Sequence, residues 1–73
     1  MADREISFEI VQHIGKLSEG KLRSKELNIV KWGNNKPKFD IRTWDEDHEI
    51  AGKGITLNAD EIQKLKELLD MFE

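Results

Sequence analysis

Residues 38–44, KFDIRTW, alternate strictly: Phe39 and Ile41 fall on one side of an extended chain, and Lys38, Asp40, Arg42 and Trp44 on the other. Side chains leave a strand's two faces by turns, so this period commits the segment to a sheet with two chemically different surfaces. Just before it, residues 33–37, GNNKP, supply residues that tolerate a positive φ and then a proline that fixes φ, the composition of a hairpin loop. Residues 26–32 form the partner strand, with Leu27, Ile29 and Lys31 in one phase and Val30 and Trp32 in the other. Phe39 and Ile41 are expected to face the core, and Trp32 shares the opposite face with the cations of residues 38–44.

Upstream, Ile6, Phe8 and Ile10 alternate with Ser7 and Glu9 in the period of a half-buried strand, but Val11 and Ile14 fall out of phase. A bulge or bend near residues 10–12 accounts for the slip and would curve the sheet. Residues 15–23, GKLSEGKLR, read as a charged loop, without the glycine–lysine–serine ending of a phosphate loop. Residues 45–49, DEDHE, read as a solvated acidic turn. Their spacing is not that of a calcium loop, and His13 has no second ligand at metal spacing, so neither metal nor cofactor is expected. Residues 52–57, GKGITL, form a fourth strand with Ile55 and Leu57 inward; Gly52 and Gly54 let a backbone or ligand come close to Lys53.

The best-marked boundary follows. Asn58 is an N-cap with Glu61 three residues on, as in a capping box, and Leu57 and Ile62 are placed as the hydrophobic staple. A helix over residues 59–72 carries Ile62, Leu65, Leu68, Leu69 and Phe72 as an apolar stripe. The expected fold is α+β: four antiparallel strands in one curved sheet, then one C-terminal helix over one face.

Residues 1–73 make one domain. A chain this short buries only about 60% of the surface its unfolded form exposes. It has no cysteine for a disulfide or a zinc site. Oligomerisation is the remaining remedy, and a homodimer is expected, with Ile62, Leu65, Leu69 and Phe72 at its interface. No apolar run approaches the roughly 20 residues of a membrane span, and residues 1–4 do not open a signal peptide, so the expectation is a soluble cytoplasmic protein with no membrane partner.

The net charge of −3 alone argues against nucleic acid, but its distribution does not. Residues 21–44 carry seven basic and two acidic side chains, while the segments on either side are net acidic. Screening limits electrostatic reach to about 8–10 Å, so a focused patch matters more than the sum. Cations beside indoles suit single-stranded nucleic acid: lysines neutralise phosphates and aromatic rings stack on bases, at about 1–3 kcal/mol per base. The competing reading makes Trp32 and Trp44 core or interface residues and the lysines a solvated edge.

Taken together, KFDIRTWD, an acidic loop, GKGITLN and DEIQKLKELL resemble the transcriptional positive cofactor four (PC4-like) family. With FEIVQHIGKLSE and KELNIVKWGN added, nearly the whole chain is similar to the short bacterial YdbC-type members. The resemblance implies a curved sheet and closing helix, subunits paired largely through their helices, and binding of single-stranded DNA without sequence preference. It also implies contact with unwound DNA and with the transcription or replication machinery, in transcription, replication or repair at the bacterial nucleoid. By the same resemblance Arg42 matches the family's strand arginine and Trp44 lies at or beside its tryptophan. Lys53 matches the lysine between glycines, Lys36 falls at a hairpin lysine, and Trp32 lies near a base-stacking aromatic. The basic, serine-rich regulatory arm of eukaryotic members has no counterpart in this sequence, so coactivation does not transfer. Glu5 and Glu9 would oppose binding if they faced the DNA.

The sequence reading is therefore a homodimeric single-stranded DNA-binding domain that is not an enzyme. Trp32 and Trp44 stack on bases, and Lys31, Lys36, Lys38, Arg42 and Lys53 neutralise phosphates. A single-stranded RNA binder and a module docking an acidic protein are the alternatives. Catalysis fits least, since serine, histidine and carboxylate are not clustered in the sequence.

Overall fold

The computed structural model describes residues 7–72. The order of elements is β1 (Phe8–Glu19), β2 (Arg23–Trp32), β3 (Lys38–Asp45), β4 (Ala51–Leu57) and α1 (Ala59–Met71). The strands form one antiparallel sheet in chain order, with β1 and β4 as its open edges. This is the four-stranded sheet and closing helix that the pattern predicts. Ile6, Glu5 and residues 1–4 lie outside the described residues.

The first strand departs furthest from simple alternation. Opposite β2 it slips three times, between Ile10 and Gln12, His13 and Gly15, and Lys16 and Ser18. Val11, Ile14 and Leu17 are thus each an extra residue with no partner across the ladder. The bend expected near residues 10–12 is the first of three bulges. A strand that gains a residue at every third position loses the period of two, so Gly15 and Ser18 look like loop residues although they are paired. The loop expected at 15–23 contracts to the residues between Glu19 and Arg23, where Gly20 N donates to Arg23 O at 2.7 Å.

Bulges increase local twist and bend the strand, and the sheet rolls towards the face of Val30 and Trp32. Trp44 pairs with Ser24, eight residues from Trp32 on β2, a separation of about 26 Å along a flat strand. Yet the Phe8 ring centroid lies 5.5 Å from that of Trp32 and 5.2 Å from that of Trp44. Only a strongly rolled sheet permits both contacts.

Inside the roll lie the fully buried side chains: Val30 and Trp44, with Glu26, Asn28 and Asp40 at 0% exposure. This corrects the expected placing of the core. Leu27, Ile29, Phe39 and Ile41 share the outer face and are only half-buried, and Ile55 on the same face is 54% exposed. The cause is the helix. It touches only β3 and β4 and buries none of its own residues, so within one chain the outer face stays largely uncovered.

The helix starts as its sequence dictates. Glu61 N donates to Asn58 Oδ1 at 2.8 Å, and Asn58 N donates to Glu61 Oε1 at 2.9 Å, completing the capping box. The last helical residue is Met71, and Phe72 is the C-cap. Gly54 lies opposite Arg42, where any Cβ would collide with the Cβ of Arg42 and the carbonyl of Ile41. The close approach anticipated around Lys53 is therefore the backbone of β3.

Candidate nucleic-acid interface

Arg42 points from β3 into the roll. Its Nε and Nη2 donate to Asp40 Oδ1 and Oδ2 at 2.7 and 2.9 Å, and its Nη1 donates to Gly52 O at 2.9 Å. Asp40 also accepts from Thr56 Oγ1 at 2.9 Å. The guanidinium carbon lies 4.7 Å from the centroid of Trp32, so the planar cation is spread over the indole. Asp40 and Arg42 stand two apart on one strand face, and Gly54 leaves room for the pair. The result is a fixed, flat cation beside a half-buried tryptophan.

A second polar cluster occupies the other end of the same face. Glu26, wholly buried, accepts from Ser24 Oγ at 2.7 Å, Asn28 Nδ2 at 3.1 Å and His48 Nε2 at 3.0 Å from each oxygen. Burial alone would raise its carboxyl pKa. The hydrogen bonds from Asn28, Ser24 and His48, with the charge attraction of His48, outweigh that and hold it below the ordinary carboxylate value. His48 reaches Glu26 from the β3–β4 loop with φ at 57°, in the left-handed region where histidine is one of the more tolerant residues. Asp45 secures the loop by accepting from Ile50 N and Glu49 N at 2.7 and 2.9 Å. Those backbone N–H groups, Ile50 foremost, hold the Asp45 carboxyl below its usual range. Among the described residues no group of three or more His, Cys, Asp or Glu side chains is arranged to hold a metal ion.

The predicted contact residues separate into three kinds. Lys36 and Lys38 at the β2–β3 hairpin, and Lys53 on the edge strand, are exposed. Lys31 pairs with Glu9 on the outer face and donates to Gly33 O at 2.9 Å. Glu9 therefore faces away from Trp32, and the opposition it might have offered does not arise there. Arg42 and Trp44 need correcting. Arg42 is a paired ion with a side chain only 15% exposed, not a free neutraliser of phosphate. Trp44 is 1% exposed, because the roll packs Phe8 against it, and offers no face to a base. Along the helix, Ile62 and Leu65 are half-buried while Leu69 and Phe72 are 60% and 80% exposed.

Residues 20–68 match the model of the family described as Transcriptional Coactivator p15 (PC4). The chain belongs to the PC4 family. A protein of Treponema pallidum (strain Nichols), described only as uncharacterized, is 37% identical over 67 residues, covering 90% of this chain and 79% of that one. PC4 membership makes single-stranded DNA the general class of partner. The PC4 match takes in β2 to β4 and the helix as far as Leu68, and leaves β1 outside.

Within that PC4 frame, sequence reasoning missed Phe8 as the ring joining both tryptophans, and Glu26, Asn28 and Asp40 as a buried polar floor. A signal for part of this was present. Ser24, Glu26 and Asn28 continue backwards the phase of Val30 and Trp32, so a polar half of one face was readable. Nothing in the pattern tells that this face is the one that closes.

Proposed function

We propose that the protein is a homodimeric binder of single-stranded DNA without base preference, and not an enzyme. The observation that carries the reading is the Arg42 guanidinium, clamped by Asp40 and lying over Trp32, beside the exposed Lys36 and Lys38 of the hairpin. Bases stack on planar guanidinium groups as well as on aromatic rings, so Arg42 and the half-buried Trp32 form one stacking platform. Lys36, Lys38 and Lys53 track the phosphates, and Lys31 fixes the hairpin. Trp44 serves as the post that holds the roll.

The dimer is supported by what one chain leaves bare. Leu68, Leu69, Met71 and Phe72 are 55–80% exposed, and Ile55 shares the uncovered outer face. A second subunit laid on the helix and outer face removes that surface from water, at roughly 25 cal/mol per Å². The biological setting of this reading is unwound DNA at the bacterial nucleoid, in transcription, replication or repair.

Titration of the intrinsic fluorescence with a thymine oligomer of about 20 nucleotides, longer than most single-domain footprints, against a matched duplex and a matched RNA, tests the proposal. The single-stranded DNA should bind and quench, and Trp32→Phe should abolish most of the quenching. With about three phosphates neutralised per subunit, one for each of Lys36, Lys38 and Lys53, log affinity falls against log salt with a slope near −2, from roughly −0.7 per contact. Binding that ignores salt, or quenching that survives Trp32→Phe, refutes it; preference for the RNA would assign the same face to a different strand.

A further inference from the structure

Beyond Glu26 the rolled face opens into a cavity of about 270 Å³ lined by Ile10, His13, Lys16, Glu26 and His48. Hydrogen-bond donors and acceptors fix the state of both rings. Asn28 Nδ2 donates to Glu26, so Asn28 Oδ1 is an acceptor, and His13 Nδ1 at 2.7 Å must donate to it. His48 Nε2 faces both oxygens of a carboxylate and must donate as well. That leaves His13 Nε2 and His48 Nδ1 as the nitrogens that take up or release the second proton. Both rings remain reachable from solvent, their side chains 52% and 36% exposed.

We propose that His13, His48 and Lys16 form a proton-dependent subsite for a nucleic-acid phosphate, at the opposite end of the rolled face from Trp32. The inference rests on the single-stranded DNA reading and deepens it. With both imidazoles neutral, Lys16 is the cavity's only cation, and it is drawn to Glu19 at 3.0 Å. With both charged, three cations surround one buried carboxylate, and the excess is positive. Imidazole is the side chain that ordinarily changes charge between about pH 5 and 8. An adjoining hollow that shares Lys16, Glu26 and His48 with the cavity brings further charges beside it: Glu19 at the end of β1, Lys21 in the turn before β2, Arg23 at the start of β2, Asp45 at the end of β3 and Glu46 after it. The two basic residues extend the cationic surface, and the three acids keep it weak until the histidines charge. Glu26, held below its ordinary carboxylate value, stays an anion throughout and supplies the fixed partner of His48. Arg42, whose guanidinium lies over Trp32, is the ladder partner of Glu26, so a strand stacked at that platform can reach the cavity with a later phosphate.

The test compares thymine-oligomer affinity and its salt slope at about pH 5.5 and about pH 8, for the full chain and for the His13→Gln/His48→Gln variant. One more phosphate neutralised per subunit should steepen the slope by roughly 0.7 and tighten binding on the order of tenfold. The variant should lose that acid-dependent gain. An unchanged slope, or a gain that persists in the variant, overturns the subsite. Proton NMR of the unmodified protein at the acidic pH guards against a folding defect: oligomer should move the ring C–H resonances of His13 and His48, and resonances that stay fixed at saturation overturn the proposal. If no oligomer binds at either pH, the DNA reading fails instead. Inorganic phosphate is then titrated against the same resonances: movement retains an anion site of another origin, and none ends it.

Discussion

Replacing Arg42 with methionine separates a structural ion from a free phosphate contact. Methionine keeps an aliphatic stem over Trp32 and removes the charge. Asp40, at 0% exposure, then loses two of its three side-chain hydrogen bonds and keeps only the one from Thr56. Removing one partner of a buried pair costs about 3–5 kcal/mol, mostly from the charge left behind. Arg42 is 15% exposed, so some water already reaches the pair, and the lower end, near 3 kcal/mol, is the working figure. For a domain of this size that is a fall in Tm of at least about 12 °C, at roughly 4 °C or more per kcal/mol. Urea unfolding followed by far-ultraviolet circular dichroism, at one fixed protein concentration because association contributes to stability, measures it. Converting Asp40 to leucine as well should restore most of the loss, since a buried ion pair and an apolar pair are often close in energy. A loss under about 1 kcal/mol for Arg42→Met would refute the reasoning and return Arg42 to the solvent as a phosphate ligand.

Gly54→Ala forces a methyl group into Arg42 and the Ile41 carbonyl, and should destabilise by about 1–3 kcal/mol or more as β3 and β4 part; hydrogen exchange should speed up first in those two strands. Asn58→Ala removes the cap and the box together and should cost about 1 kcal/mol, read as reduced helicity and a lower urea midpoint. Glu26 carries a folded-state pKa below its ordinary 4.5. Its contribution to stability is thus fully present above that value and is lost as pH falls through the lowered one. The stability-versus-pH curve should turn down below about pH 4.5, and Glu26→Gln should make that downturn shallower, leaving the part owed to Asp45, while lowering stability at neutral pH.

The parts of the fold that were readable in advance are those written locally. The β2–β3 hairpin follows from alternation and a loop whose Gly33 takes φ at 54°, and the helix start follows from Asn58 and Glu61. Opposed faces were assigned correctly to Leu27 and Ile29 against Val30 and Trp32. Which face closes was not legible, because that depends on how far three bulges in β1 roll the sheet, and periodicity detected only the first. Trp44 shows the consequence: right face, wrong accessibility. The contact of His48 with Glu26 spans 22 residues and needs a left-handed backbone at a non-glycine position, neither of which composition or spacing reveals. The exposed lysines at 36, 38 and 53 were the simplest to find, since charge at a turn or an edge strand rarely has anywhere else to go.

The bulges of β1 have a second consequence, at the sheet's rim. A strand of 12 residues at the edge, carrying Val11, Ile14 and Leu17 at 43–58% exposure, is the kind of border on which other chains nucleate fibres. Templating requires an unbroken row of N–H and C=O groups at the spacing of the incoming strand. Here the row is broken at Val11, Ile14 and Leu17, so a regular strand arriving from solvent finds two or three matching positions and then a mismatch. The interruptions that shape the inner face also make this border a poor template for a regular strand.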